Sequence, residues 1–228
     1  MATHMSAEDV HADFLEKFPP GAGALAHELW TNIGSVHLNW KNYRALFGTS
    51  AERIGLLNWA APSFFAHLDG ILRHDVFMAI ARLTDPPETS RHPNASLRTL
   101  LNNLRASLDP AIFAEMDRSL SELKGYCKPI RDVRDRHIAH DDLATALKYH
   151  SEPLAGISRA FVEGALLRIR EWFGAIETQY RGSPTAHEYV LSTGDGEYLM
   201  SIFASAQAHA REHEIQERAK WTGTSSPQ

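Results

Sequence analysis

Residues 130–143 read Ile-Arg-Asp-Val-Arg-Asp-Arg-His-Ile-Ala-His-Asp-Asp-Leu, so three arginines (Arg131, Arg134, Arg136), two histidines (His137, His140) and four aspartates share one short window. A histidine titrates near neutrality and can take the proton of a ribose 2′-hydroxyl or return one to a leaving oxygen. Arginine's planar fork can hold a phosphate and the charge that develops on it. With a polar group to orient them, one arginine and one histidine suffice for RNA cleavage without a metal. This stretch is therefore the candidate site.

The helix or turn that carries these residues constrains what they can do together. On a helix, His137, His140 and Asp141 share a face, and Arg134 joins His137 on that side. Arg134 and His140 are six positions apart and diverge by about 120° on one straight helix. For both to act on one substrate, the helix must end before His140, or the pair must meet across a two-fold interface. A second chemistry takes His137, His140 and Asp141 as metal ligands, because His-x-x-His-Asp resembles part of the HD phosphohydrolase signature. The upstream histidine and downstream aspartate of such a site are not assignable here. The plainest alternative is a solvated helix end, its arginines paired with Asp132 and Asp135 and its His137 on the apolar stripe. His27, His37, His67, His74, His92 and His150 are scattered singly and read as surface or hydrogen-bonded structural residues.

Composition narrows the function classes. The 228 residues, 43% apolar and 22% charged, suit one sizeable core in a single domain with helical additions. The net charge of −5 excludes a global basic field for duplex nucleic acid, so any nucleic-acid contact must be local. No stretch approaches about eighteen consecutive apolar residues, and the N-terminus lacks a signal-peptide pattern. A cytoplasmic protein with no membrane partner and no cofactor is expected. Cys127, the single cysteine, reads as a small core residue.

The surrounding elements follow helical spacing throughout. Residues 8–17 form a short helix ended by Pro19-Pro20, and Leu25, Leu29, Ile33, Val36, Trp40, Tyr43 and Phe47 mark one face of a long one. Thr49 to Glu52 has capping-box spacing and opens a run to about Asp85, with a kink or a short break expected near Ala61 because of Pro62. Phe64, Phe65, Leu68, Ile71, Leu72, Val76 and Ile80 predict its core face. After a proline-rich connection, Ser96 or Asn94 caps a helix bearing Leu97, Leu100, Leu101 and Leu104, and Asp109-Pro110 starts another. Ser151 is expected to cap a long helix through Ile157, Phe161, Ile169 and Trp172 to Tyr180, ended by Gly182. A turn at 193–196 precedes a last helix to about Lys220, whose charged far end suits solvent or a partner. Trp30, Trp40, Trp59 and Trp172 read as core. The only extended piece expected is Tyr189-Val190-Leu191. The fold class is all-α, an antiparallel bundle of four long core helices with peripheral helices added.

Arg134-Asp135-Arg136-His137-Ile138-Ala139-His140 resembles the Arg-polar-x(4–6)-His motif of the HEPN superfamily. The flanks resemble its AbiU-like, abortive-infection branch: Leu56 to Phe65, Asp75 to Pro86 including Ala81-Arg82-Leu83-Thr84, and Ser96 to Leu101. The resemblance covers roughly residues 24–180. It implies a metal-independent ribonuclease in phage defence or toxin–antitoxin function, with its site formed in a homodimer and RNA as the partner, alongside an antitoxin or other defence protein. By position, Arg134 would polarise the scissile phosphate, His140 would be the general base or acid, and Asp135 would fill the polar position where asparagine is common. Arg131, Arg136 and His137 are the substrate-binding candidates. The implied organisation is a peripheral segment at 1–20, a HEPN-like bundle at 21–183, a helical extension at 184–221 and a disordered tail at 222–228. The rival implied by the charge balance is a non-catalytic dimer module that binds RNA, a nucleotide or a protein.

Overall fold

A computed structural model describes residues 6–135, 156–189 and 192–221. In chain order these form α1 (Ala7–Lys17), α2 (Gly23–Phe47), α3 (Ala51–Ala60), α4 (Pro62–Leu83), β1 (Glu88–Thr89), β2 (His92–Pro93), α5 (Leu97–Leu104), α6 (Pro110–Tyr126), α7 (Lys128–Val133), α8 (Arg159–Arg181), a single 3₁₀ turn (His187–Tyr189) and α9 (Gly196–Trp221). The class is all-α. The described residues divide into two compact units, one within Met1–Leu38 and His74–Val190, the other within Asn39–Arg73 and Leu191–Gln228.

Local chemistry explains most boundaries. Ser6 and Asp9 close a capping box on α1, with the Ser6 hydroxyl accepting from the Asp9 amide and the Asp9 carboxylate from the Ser6 amide. Ser50 caps α3, one position beyond the Thr49 that the spacing suggests, and Ala61 breaks the run before Pro62 starts α4. Ser96 and Asp109 cap α5 and α6. Gly182, at φ +82°, supplies the left-handed end of α8. The start of that helix differs from expectation: Ser158 caps it, and Ile157 lies outside it. Ser151 and Leu154 lie outside the described residues. Tyr189 ends the 3₁₀ turn instead of opening a strand, and the proline-rich connection contains an antiparallel two-residue ladder, β1 with β2, which has too few residues to leave a period-2 signal.

In the first unit, one face of α2 (Leu29, Ile33, Val36) is buried, and α5 buries Leu97, Leu100, Leu101 and Leu104 completely. Helix α6 adds Met116, Leu120 and Leu123, and Cys127 is buried as expected. Helices α6 and α8 pack together, and the Trp172 indole on α8 donates to the Met116 carbonyl at 3.0 Å. Gly23 is required where α1 and α2 approach, because a Cβ there would stand 2.6 Å from the Phe14 carbonyl oxygen. Glu177 on α8 has no solvent exposure yet is fully answered: it accepts from Arg181 at 2.6 Å and from both the amide and the hydroxyl of Thr185 at 2.9 and 2.6 Å. Arg181 also pairs with Asp13 on α1 at 2.8 Å, and Trp30 on α2 donates to the Thr185 hydroxyl.

In the second unit, Leu46, Leu57, Phe65 and Met200 form the core. Arg53 grips Glu197 through both guanidinium amino groups, at 2.8 and 2.7 Å, joining α3 to α9. Phe64 and Ile71, read as core from spacing, and Trp59, read as core from residue type, are instead exposed. Periodicity identifies a face but not whether anything covers it. Beyond Phe203, α9 is largely exposed.

Candidate functional site

The described part of the central stretch is anchored by burial. Helix α7 starts at Lys128-Pro129 directly after α6, and Ile130 is wholly buried. Arg134 is four residues on, so it projects from the same inward side as Ile130. Arg134 closes α7 at helical angles, φ −55° and ψ −52°, with its amide donating to the Ile130 and Arg131 carbonyls.

The C-terminal end of α4 receives both arginines. Thr84 is buried, donates its hydroxyl to the Ile80 carbonyl at 2.9 Å, and accepts from Arg131 at 3.3 Å. The other amino group of Arg131 donates to the Lys124 carbonyl on α6 at 2.8 Å. One residue after Thr84, Asp85 takes Arg134 Nη1 on both carboxylate oxygens, at 2.7 and 2.8 Å. Arg134 Nε donates to Asp135 at 2.7 Å. The Arg134 and Asp85 side chains are only 17% and 16% exposed, so this pair is well shielded from water. Burial works against the Arg134 charge, but the hydrogen bonds to Asp135 and Asp85 outweigh it and raise its pKa further. These pairs use Nε and Nη1, and leave Nη2 to other acceptors.

The loop after Asp85 is fastened at its base. Asn94 donates its amide to the Pro87 carbonyl at 2.8 Å and its side chain to the Pro86 carbonyl at 2.9 Å. Beside it lies a cavity of about 180 Å³, with Thr84, Asp85, Pro86 and Pro87 on one wall and Arg98, Leu120 and Lys124 on the other. Arg98 is held by ion pairing to Asp117 and donates to Ser121 at 3.3 Å.

Of the residues expected from the sequence, Arg131, Arg134 and Asp135 converge here. Arg136, His137 and His140, with Asp141, lie outside the described residues. Sequence reasoning assigned no role to Thr84, Asp85, Arg98 or Lys124. Asp85 was visible as the end of a helical run before two prolines and within the Asp75 to Pro86 flank, but its partner lies 49 residues away.

A second titratable pair lies within the first unit. His37 and His187 stack with ring centroids 6.3 Å apart, are 8% and 3% exposed, and each has a buried Nε2 without a hydrogen-bond partner among the described residues. Burial pushes both imidazoles down to about 4, His37 helped by Arg170 and His187 by His37 itself. His37 is thus a buried structural residue rather than a surface one. Among the described residues, no three metal-ligating side chains gather, and no helix is long and apolar enough to cross a membrane.

The HEPN AbiU2 family model, described as AbiU2, matches residues 20–199. The match spans both compact units and contains every residue of the site described above. Comparison with curated proteins gives no match, nor does comparison with solved structures.

Proposed function

The chain belongs to the HEPN AbiU2 family and is a defence-related HEPN module of the abortive-infection kind; from that premise we propose that it is a metal-independent endoribonuclease. RNA is cleaved at a composite homodimer site, in phage defence or toxin–antitoxin function. His140 takes the proton of a ribose 2′-hydroxyl, the 2′-oxygen attacks phosphorus, and the 5′-oxygen leaves with a proton, giving a 2′,3′-cyclic phosphate. Arg134 binds the phosphate, and Asp135 orients the arginine. Arg131, Arg136 and His137 contact the substrate.

The observation that supports this reading best is the fixing of Arg134. Its Nε and Nη1 are held by Asp135 and Asp85 while Nη2 stays outside both pairs, so the guanidinium is oriented before substrate arrives. Exposed Trp59, Phe64, Ile71 and Tyr198 offer apolar surface of the sort that association buries, in keeping with a dimer. The exposed far end of α9 suits an antitoxin or other defence protein.

The test is incubation of the wild-type protein, Arg134→Ala and His140→Ala with total RNA in EDTA, followed by mapping of the ends. Wild type leaves 2′,3′-cyclic phosphate ends, while both variants are inactive and keep their helix content and oligomeric state. Cleavage persisting in both variants overturns the assignment. One observation favours a second reading: two carboxylates already neutralise Arg134, which suits a module that binds RNA, a nucleotide or a protein without cutting. RNA binding with no cleavage identifies that case.

A further inference from the structure

We infer that the cavity between the end of α4 and helix α6 is a phosphate subsite for RNA, with Lys124 supplying its cation. The inference rests on the RNA reading above but assigns a role to Lys124, which that reading does not use. At about 180 Å³ the cavity is smaller than the ~300–1,000 Å³ clefts that enclose drug-sized ligands. A phosphate group fits such a space; a whole nucleotide does not.

Charge decides what kind of group it takes. Four cations, Arg98, Lys124, Arg131 and Arg134, surround the cavity or hydrogen-bond to its walls, against the carboxylates Asp85, Asp117 and Asp135. The carboxylates are committed: Asp117 to Arg98, and Asp85 and Asp135 to Arg134. Arg131 donates to two neutral acceptors, the Thr84 hydroxyl and the Lys124 carbonyl, so these bonds do not cancel its charge. No carboxylate pairs with the Lys124 ammonium among the described residues, and the side chain is exposed on the cavity wall. In a chain of net charge −5, this leaves a local positive field next to the Asp85–Arg134 pair. Asp85 lines the cavity and also holds Arg134, so a phosphate here would neighbour the one Arg134 binds. Lys124 is therefore a positioning residue that sets the register of the RNA backbone.

The test is fluorescence-anisotropy titration of a short labelled single-stranded RNA, 2′-O-methylated so that it cannot be cut, with the full chain, in EDTA and across a range of sodium chloride. Wild type, Lys124→Ala, Lys124→Arg and the distant control Lys17→Ala are compared, with calorimetric titration of inorganic phosphate alongside. Lys124→Ala is expected to weaken RNA binding about fivefold and to flatten the salt slope by about 0.7, the value of one single-strand phosphate contact. Lys124→Arg and Lys17→Ala keep the wild-type slope. An unchanged slope in Lys124→Ala, an equal loss in Lys17→Ala, or a wild type that binds no RNA overturns the subsite. Phosphate binding that disappears in Lys124→Ala while RNA binding does not change overturns RNA as the source in favour of free phosphate. A wild type that binds RNA through Lys124 yet cuts no total RNA supports the subsite and overturns only the nuclease.

Discussion

Arg134 and Asp85 meet from opposite ends of a 49-residue separation, with one guanidinium nitrogen bridging both carboxylate oxygens at 2.7 and 2.8 Å. The arginine is thereby fixed to the end of α4 as well as to its own helix, and α4 becomes part of the site. A mostly buried pair of this kind contributes orientation more than net stability, since desolvation offsets much of the attraction.

Asp85→Asn tests that division of roles. The variant is expected to lose about 1.5–3 kcal/mol of stability, the scale of a hydrogen bond to a charged group. Removing a negative charge beside the phosphate position should tighten RNA binding roughly two- to fivefold, because partly shielded charges interact more strongly than in water. Turnover should fall as Arg134 loses its orientation. Urea melts and RNA titrations check both, and unaltered stability would mean that the pair is not maintained in solution.

The buried His37–His187 pair predicts acid sensitivity. Both imidazoles sit at about 4, below the ordinary value near 6.5, so the unfolded chain binds more protons between those limits. Their stabilising contribution is complete above about pH 6.5 and is lost as pH falls towards 4, by up to about 1.4 kcal/mol per pH unit for each histidine. Arg170, Arg181 and Glu188 are the other charged groups acting on His187, and Arg170 and Glu188 act on His37. Urea midpoints measured from about pH 7 down to 5 should decline, and His187→Gln should make the decline shallower. A flat profile in the wild type would show that the pair is not buried and neutral.

Glu177 is the most heavily answered buried charge among the described residues. Glu177→Leu leaves Arg181 with one carboxylate partner fewer and strands the Thr185 amide and hydroxyl, so a loss of about 3–5 kcal/mol is expected. Glu177→Gln, which keeps an acceptor, should lose less. Thermal midpoints of the two variants would rank them; equal midpoints would mean that the charge itself is immaterial.

Helices were legible wherever a local signal marked them. Pro62, Ser96, Asp109 and Gly182 act on their immediate neighbours, and each ends or starts an element where the sequence places it. Ser158 was missed because two serines, Ser151 and Ser158, precede Phe161, and the local sequence does not decide which one caps α8. Phe64 and Ile71 are exposed because the spacing that puts them on one face carries no information about what covers that face, and Trp59 is exposed although its residue type favours burial. In the site, composition singled out Arg131, Arg134 and Asp135. Asp85, Thr84 and Lys124 escaped it, since their roles arise from tertiary approach between α4, α6 and α7, which no local pattern encodes.

The hairpin after Asp85 offers a place to watch the site without disturbing it. Ser90 and Arg91 form its exposed tip, both in the left-handed backbone region at φ 51° and 68°, where Asn-Gly is the more comfortable pair. Asn94 meanwhile clamps the base through Pro86 and Pro87. A cysteine introduced at Arg91 could thus carry a fluorophore a few residues from the carboxylate that grips Arg134. The clamp would keep the label's bulk at the tip, and its emission would respond when RNA arrives.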